Sequence, residues 1–95
     1  MIRLNCFFQA TASEETDFYK DALRTAVALT EKSRKHPGCI AYDTFQSATR
    51  SDVFMICETW ANEEVLAAHS SSEPFLQLVP AIHACGEMKI EKFEF

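Results

Sequence analysis

Three histidines, His36, His69 and His83, and four cysteines, Cys6, Cys39, Cys57 and Cys85, are the side chains of this 95-residue chain best suited to acid–base, nucleophilic or metal chemistry. The histidines stand 33 and 14 residues apart and the cysteines 33, 18 and 28 apart. No C-x-x-C pair is present, so neither a metal site nor a dithiol redox centre is expected. Each cysteine lies within or beside an apolar segment, which reads as small buried hydrophobes in a reducing compartment. His36 precedes Pro37-Gly38 and fits a cation at a helix C-terminus; His83 is expected at the surface or an interface. Asn5 sits in an apolar strand, where burying its amide unpaired would cost about 1–3 kcal/mol. It serves either the hydrogen bonding of the fold or the orientation of a substrate oxygen. Glu58 and Trp60 share strand parity with Phe54 and Ile56, so one face carries a carboxylate and an indole among large apolar groups. That face reads as dimer core with Glu58 paired across the interface, or else Trp60 walls an aromatic-binding pocket. The pairs Glu14-Glu15 and Glu63-Glu64 complement helix N-termini and carry no catalytic role.

The elements that must position these residues follow from periodicity. Ile2, Leu4, Cys6 and Phe8 alternate with Arg3, Asn5, Phe7 and Gln9, the period of a strand. Thr11-Ala12-Ser13-Glu14 has capping-box spacing, and Phe18, Ala22, Leu23, Ala26, Leu29 and Thr30 then recur at helical steps until His36-Pro37-Gly38. Cys39 to Ser47 and Val53 to Trp60 read as a hairpin across the polar turn 48–52. Asn62 caps a second helix beginning at Glu63, and Ser72-Glu73-Pro74 starts a third that carries Phe75, Leu76, Val79 and Ile82. In the last strand Met88 and Ile90 are out of phase with Phe93 and Phe95, which predicts a bulge or departure from the sheet. The order β-α-β-β-α-β, with the second helical region broken in two, is the ferredoxin-like α+β arrangement: an antiparallel sheet with helices on one face. The apolar run of strand three on both parities, with Phe7, predicts a homodimer joined through the other sheet face.

Composition narrows the function. One domain over residues 1–95 is expected, because half the chain could not bury its own core. A hydrophobic content of 47% and a mean hydropathy of -0.12, with no apolar run near the roughly 20 residues of a membrane span, fit a soluble protein without export signal, placed by default in the cytoplasm. Nine basic against fourteen acidic residues give a net charge of -5, which disfavours nucleic acid as a partner. Only two glycines, Gly38 and Gly86, leave no phosphate-cradling loop for a nucleotide cofactor.

Three segments together resemble the antibiotic biosynthesis monooxygenase family: His36-Pro37-Gly38-Cys39-Ile40-Ala41-Tyr42, Phe54-Met55-Ile56-Cys57-Glu58-Thr59-Trp60, and Ala67-Ala68-His69 through Phe75. They carry P-G-C with an aromatic residue on strand two, E-x-W closing strand three and A-x-H-x-x-S opening the next helix. The resemblance implies a dimeric α+β barrel whose members include cofactor-independent oxygenases, haem-degrading enzymes and a signal isomerase. Against the haem-degrading branch, Asn5 matches the strand-one Asn, but His69 replaces its Trp and Val79 its iron-ligating His, so no haem is expected. A second histidine typical of the quinol-oxidising and isomerase branches is replaced near Pro74. The resemblance implies a cofactor-independent monooxygenase acting on a small electron-rich aromatic, a quinol or phenolic polyketide. His69 would be the base, Asn5 the hydrogen-bond donor to the resulting anion, and Tyr42, Trp60 and Phe75 the pocket walls. The alternatives are an isomerase of small metabolites and a non-catalytic ligand-binding dimer.

Overall fold

A computed structural model of the chain describes residues 1–11 and 18–95. Its elements are β1 (Ile2–Ala10), α1 (Phe18–Ser33), β2 (Cys39–Gln46), β3 (Val53–Trp60), α2 (Glu63–Ser70), α3 (Glu73–His83) and β4 (Gly86–Glu94). The four strands form one antiparallel sheet in the order β2-β3-β1-β4. This is the expected ferredoxin-like α+β fold. The capping box read at Thr11–Glu14 and the pair Glu14-Glu15 fall on or run into residues outside those described. No helix among the described residues is long and apolar enough to cross a membrane.

Strand alternation decides what lies beneath the helices. Ile2, Cys6, Phe8 and Ala10 of β1 and Phe54, Ile56, Glu58 and Trp60 of β3 are buried under Ala22, Ala26 and Leu29 of α1, Leu66 of α2 and Ile82 of α3. Phe8 and Phe54 stack with ring centroids 4.6 Å apart. The helical face of β3 is therefore the interior of one chain. This corrects the reading of Glu58 and Trp60 as dimer core, because α1–α3 already cover that parity.

β4 also departs from expectation. It pairs with β1 without a shift from Ile2↔Glu94 to Ala10↔Gly86, so there is no bulge where the phase of the apolar residues changes. Met88 and Ile90 face the helices and Phe93 faces away, each apolar residue serving a different side of a regular strand. The irregularity lies instead in β2, between Cys39 and Ala41.

The chain enters β4 through Gly86, where a Cβ would run into the Gln9 carbonyl oxygen and approach Ala10 Cα and the Phe8 ring, each at 2.8 Å. Backbone, unlike a flexible side chain, cannot step aside cheaply. Gly86→Ala is expected to lower the unfolding free energy by about 2–3 kcal/mol. Urea denaturation checks this: the midpoint should fall at constant slope, and an unmoved midpoint would refute the clash.

Candidate active site

α2 begins at Glu63 because Asn62, in extended conformation, accepts a hydrogen bond on its side-chain oxygen from Val65 N at 3.0 Å. Two turns on, the helix presents His69 inward. Ser72 then donates its hydroxyl proton to the His69 carbonyl at 2.6 Å, tying the short break between α2 and α3 to the residue it must hold.

His69 is 2% exposed and boxed by rings. Trp60 lies 4.4 Å away between centroids, Phe75 at 5.2 Å and Tyr42 at 5.7 Å, the last two edge-on. Its Nδ1 lies 3.1 Å from Nδ1 of His36. Its Nε2, buried and without a hydrogen-bond partner among the described residues, lies 4.0 Å from Glu58 Oε1. An orphaned ring nitrogen in a core costs about 1–3 kcal/mol, which a site for binding can repay when occupied.

Glu58 is held from two sides. Trp60 Nε1 donates to Oε1 at 2.9 Å and Cys6 Sγ donates to Oε2 at 3.5 Å. Burial raises the Glu58 carboxyl above its ordinary value, against the opposing pull of hydrogen bonds from Trp60, Cys6 and Tyr42. Burial first, and the neighbouring His36 second, lower His69 from 6.5 to about 4, so the imidazole is neutral at neutral pH. Burial and the Glu58 carboxylate push the Tyr42 hydroxyl and the Cys6 thiol up, and both stay protonated.

His69 and Glu58 line a cavity of about 170 Å³ between the helices and the sheet. Most of its remaining surface is apolar, from Leu4, Leu29, Ile56, Leu66, Val79 and Met88. Its wall includes Ile90 on β4 and His83 on α3, both exposed, so it opens at the β4 side. Among the described residues no cluster of three or more His, Cys, Asp or Glu could hold a metal ion.

The five residues named from the sequence fall into three groups. His69, Tyr42 and Phe75 line the cavity together. Trp60 does not line it; the indole lies against His69 and donates to Glu58, holding both from behind. Asn5 stands on the opposite sheet face, paired with Cys57 and Glu91, and does not reach the cavity of its own chain. The reason is the two-residue period of β1, whose helical face belongs to Leu4 and Cys6. Glu58 and His36 were not assigned to the site. The i, i+2 spacing of Glu58 and Trp60 did place an indole N–H beside a carboxylate, whereas the 33-residue separation of His36 and His69 carried no signal.

These features define a ferredoxin-like domain with a small, mostly apolar cavity bearing the buried His69 imidazole and the Glu58 carboxylate, with the exposed His83 at its mouth. Residues 1–81 match the antibiotic biosynthesis monooxygenase family, and the chain belongs to it. A Bacteroides thetaiotaomicron protein of unknown function, described as a possible oxidoreductase, is 53% identical and superposes with a TM-score of 0.91, covering 99% of this chain and 96% of that one. A structure described as an antibiotic biosynthesis monooxygenase is 25% identical, with a TM-score of 0.87 over 100% of this chain and 98% of that one. SnoaB, a cofactor-independent oxygenase from Streptomyces nogalater, shares the fold at 10% identity, with a TM-score of 0.83 over 99% and 91% of the two chains. An uncharacterized Synechocystis protein is 35% identical over 49 residues, a match spanning 52% of this chain and 33% of that protein's length.

Proposed function

We propose that the protein is a cofactor-independent monooxygenase for a single-ring quinol or phenol, bound in the cavity with a hydroxyl between His69 Nε2 and Glu58 Oε1. The observation that carries the reading is the orphaned, buried Nε2 beside a carboxylate in the wall of a mostly apolar cavity. Cavity size selects the substrate class. An apolar cavity of roughly 150 Å³ accommodates benzene, whereas pockets for larger ligands run to several hundred Å³. At about 170 Å³ the site suits one ring in preference to a polycyclic polyketide.

The chemistry asked of the protein is limited. A phenolate can give an electron to triplet oxygen, whereas the neutral phenol does so poorly. The site therefore has to accept a proton and stabilise what remains. For a dihydroxybenzene the balance is loss of two hydrogens and gain of one oxygen atom, with the second oxygen of O2 leaving as water. A His69 value of about 4 makes the imidazole a weak proton acceptor by itself. When Glu58 is ionised, its carboxylate at 4.0 Å offsets this by pairing with the imidazolium as it forms, so the two groups act as one base. With Asn5 outside the cavity, the nearest neutral donor is the Tyr42 hydroxyl, which has to turn from Glu58 to reach the anion. An oxygen electrode with catechols, hydroquinones and anthrones tests the assignment. Oxygen uptake with single-ring substrates supports it; turnover without oxygen uptake moves the reading to an isomerase, and binding without turnover to a ligand-binding dimer.

The working unit in this proposal is a homodimer joined through the sheet face away from the helices, which closes the dimeric α+β barrel. Phe45, Met55 and Phe7 are neighbours in register across β2, β3 and β1 on that face, with Phe7 38% and Phe45 50% exposed. A contiguous apolar row of this kind is an association surface. Light scattering at micromolar concentration is expected to give twice the chain mass, and Phe45→Glu to shift it toward one chain; a wild-type monomer with intact fold overturns the proposal. Four free cysteines support a reducing compartment, the cytoplasm.

A further inference from the structure

We propose that His36 and His69 form a proton relay between solvent and the buried cavity, in which His36 is the positioning residue that fixes the proton on the His69 ring. The two Nδ1 atoms are 3.1 Å apart, and a hydrogen bond at that distance needs one proton between them. Two arrangements satisfy it. With the proton on His69 Nδ1, Nε2 is bare and can accept from the cavity. With the proton on His36 Nδ1, His69 carries its own on Nε2 and faces the Glu58 carboxylate as a donor. Passing the shared proton converts one arrangement into the other, provided the outer nitrogens exchange with their surroundings.

The step balances. When Nε2 takes a proton from the cavity side, the Nδ1 proton moves to His36 Nδ1, and His36 releases its Nε2 proton to water. One proton enters, one leaves, and no electrons move. His69 is 2% exposed and reaches only the floor of a surface hollow, whereas His36 is half-buried and lines that hollow with Glu64 and Ser72. The titratable groups facing the pair are Glu64 of α2 on the solvent side and Glu58 of β3, Tyr42 of β2, Cys6 of β1 and His83 of α3 around the cavity.

The backbone is arranged to bring the rings together. His36 donates its N–H to the Ser33 carbonyl at 3.0 Å and accepts from Cys39 N at 3.2 Å across Pro37-Gly38. Gly38 has φ +81°, which favours glycine, and a Cβ there would lie 2.6 Å from the Val65 side chain. Val65 belongs to α2, the helix carrying His69. The bare Gly38 thus lets α2 close on the turn that carries His36.

The relay deepens the reading of His69 as the proton acceptor, yet its test uses no substrate, so the two can fail separately. The test is nitrogen NMR of the full chain with labelled histidine. Wild type is expected to show coupling between the two Nδ1 nuclei and exchange of the His69 ring proton with water. His36→Phe should abolish the coupling and slow that exchange by about tenfold or more, because the exit is removed. His36→Gln should keep the His69 nitrogen shifts near wild type, since an amide can hold the tautomer, while slowing exchange similarly. That variant carries the test if the Phe form fails to fold. Absence of the coupling in wild type, or unchanged exchange in the Gln form, overturns the relay.

Discussion

His69→Gln is expected to lower turnover of a single-ring quinol by about 10²–10⁴-fold with little change in KM, the range associated with a positioned acid–base group. Glutamine is the informative replacement because alanine would also leave a hole among Trp60, Tyr42 and Phe75, with a cost of about 2–4 kcal/mol that confuses chemistry with folding. The pH profile separates a base from a prop. Because His69 is lowered to about 4 and burial raises Glu58 above its ordinary value, the acid fall of wild-type kcat should follow protonation of the Glu58 carboxyl, and Glu58→Gln should move the fall of the residual activity down toward the His69 value. Glu58→Gln should cost a comparable factor if the carboxylate pairs with the imidazolium, and the double variant should lose little more than either single one, as expected of residues acting together. Full activity of His69→Gln on every substrate that wild type turns over, or its dissociation to monomers, would return His69 to a structural role.

What the sequence made legible, and what it did not, follows from which interactions are local. Strand parity, helical spacing and the cap at Asn62 are short-range, and they located every element of the ferredoxin-like fold in order. The same parity put Asn5 beside Arg3 and Phe7, away from Leu4 and Cys6; applied consistently, it would have excluded Asn5 from a cavity under the helices. Periodicity cannot say which of two apolar faces the helices cover. In β3 both parities are apolar, so Glu58 was read toward a partner chain when it lies inside its own. The phase change between Ile90 and Phe93 looked like a bulge for a related reason: on a strand with one solvated face it would be an irregularity, but on a sheet with apolar groups on both sides it is regular alternation. The His36–His69 contact depends on how α2 closes over the turn at Gly38, a tertiary event with no sequence period.

The buried imidazole also has a thermodynamic consequence. The native state is expected to lose stability as pH falls from about 6.5 toward 4, in a step that His69→Gln removes. The sign follows from proton counts. In the unfolded chain His69 binds a proton below its ordinary 6.5, whereas in the native state burial and His36 delay binding until about 4. Between those values the unfolded state holds one more proton, so acid favours unfolding; above 6.5 the contribution to stability is fully present, and below 4 it is gone. A gap of this size is worth about 3 kcal/mol in full, of which most, about 2.5 kcal/mol, is lost by pH 4.5. Glu58 acts in the opposite direction. Its native value lies above 4.5, so the native state takes up a proton first as pH falls and recovers stability over part of the same range. Urea denaturation at neutral pH and near pH 4.5 separates the two. Glu58→Gln should deepen the acid loss relative to wild type, and His69→Gln should remove or reverse it. If His69→Gln instead loses as much stability as wild type between the two pH values, His69 is not the group that resists protonation, and its Nε2 is not the buried acceptor facing Glu58.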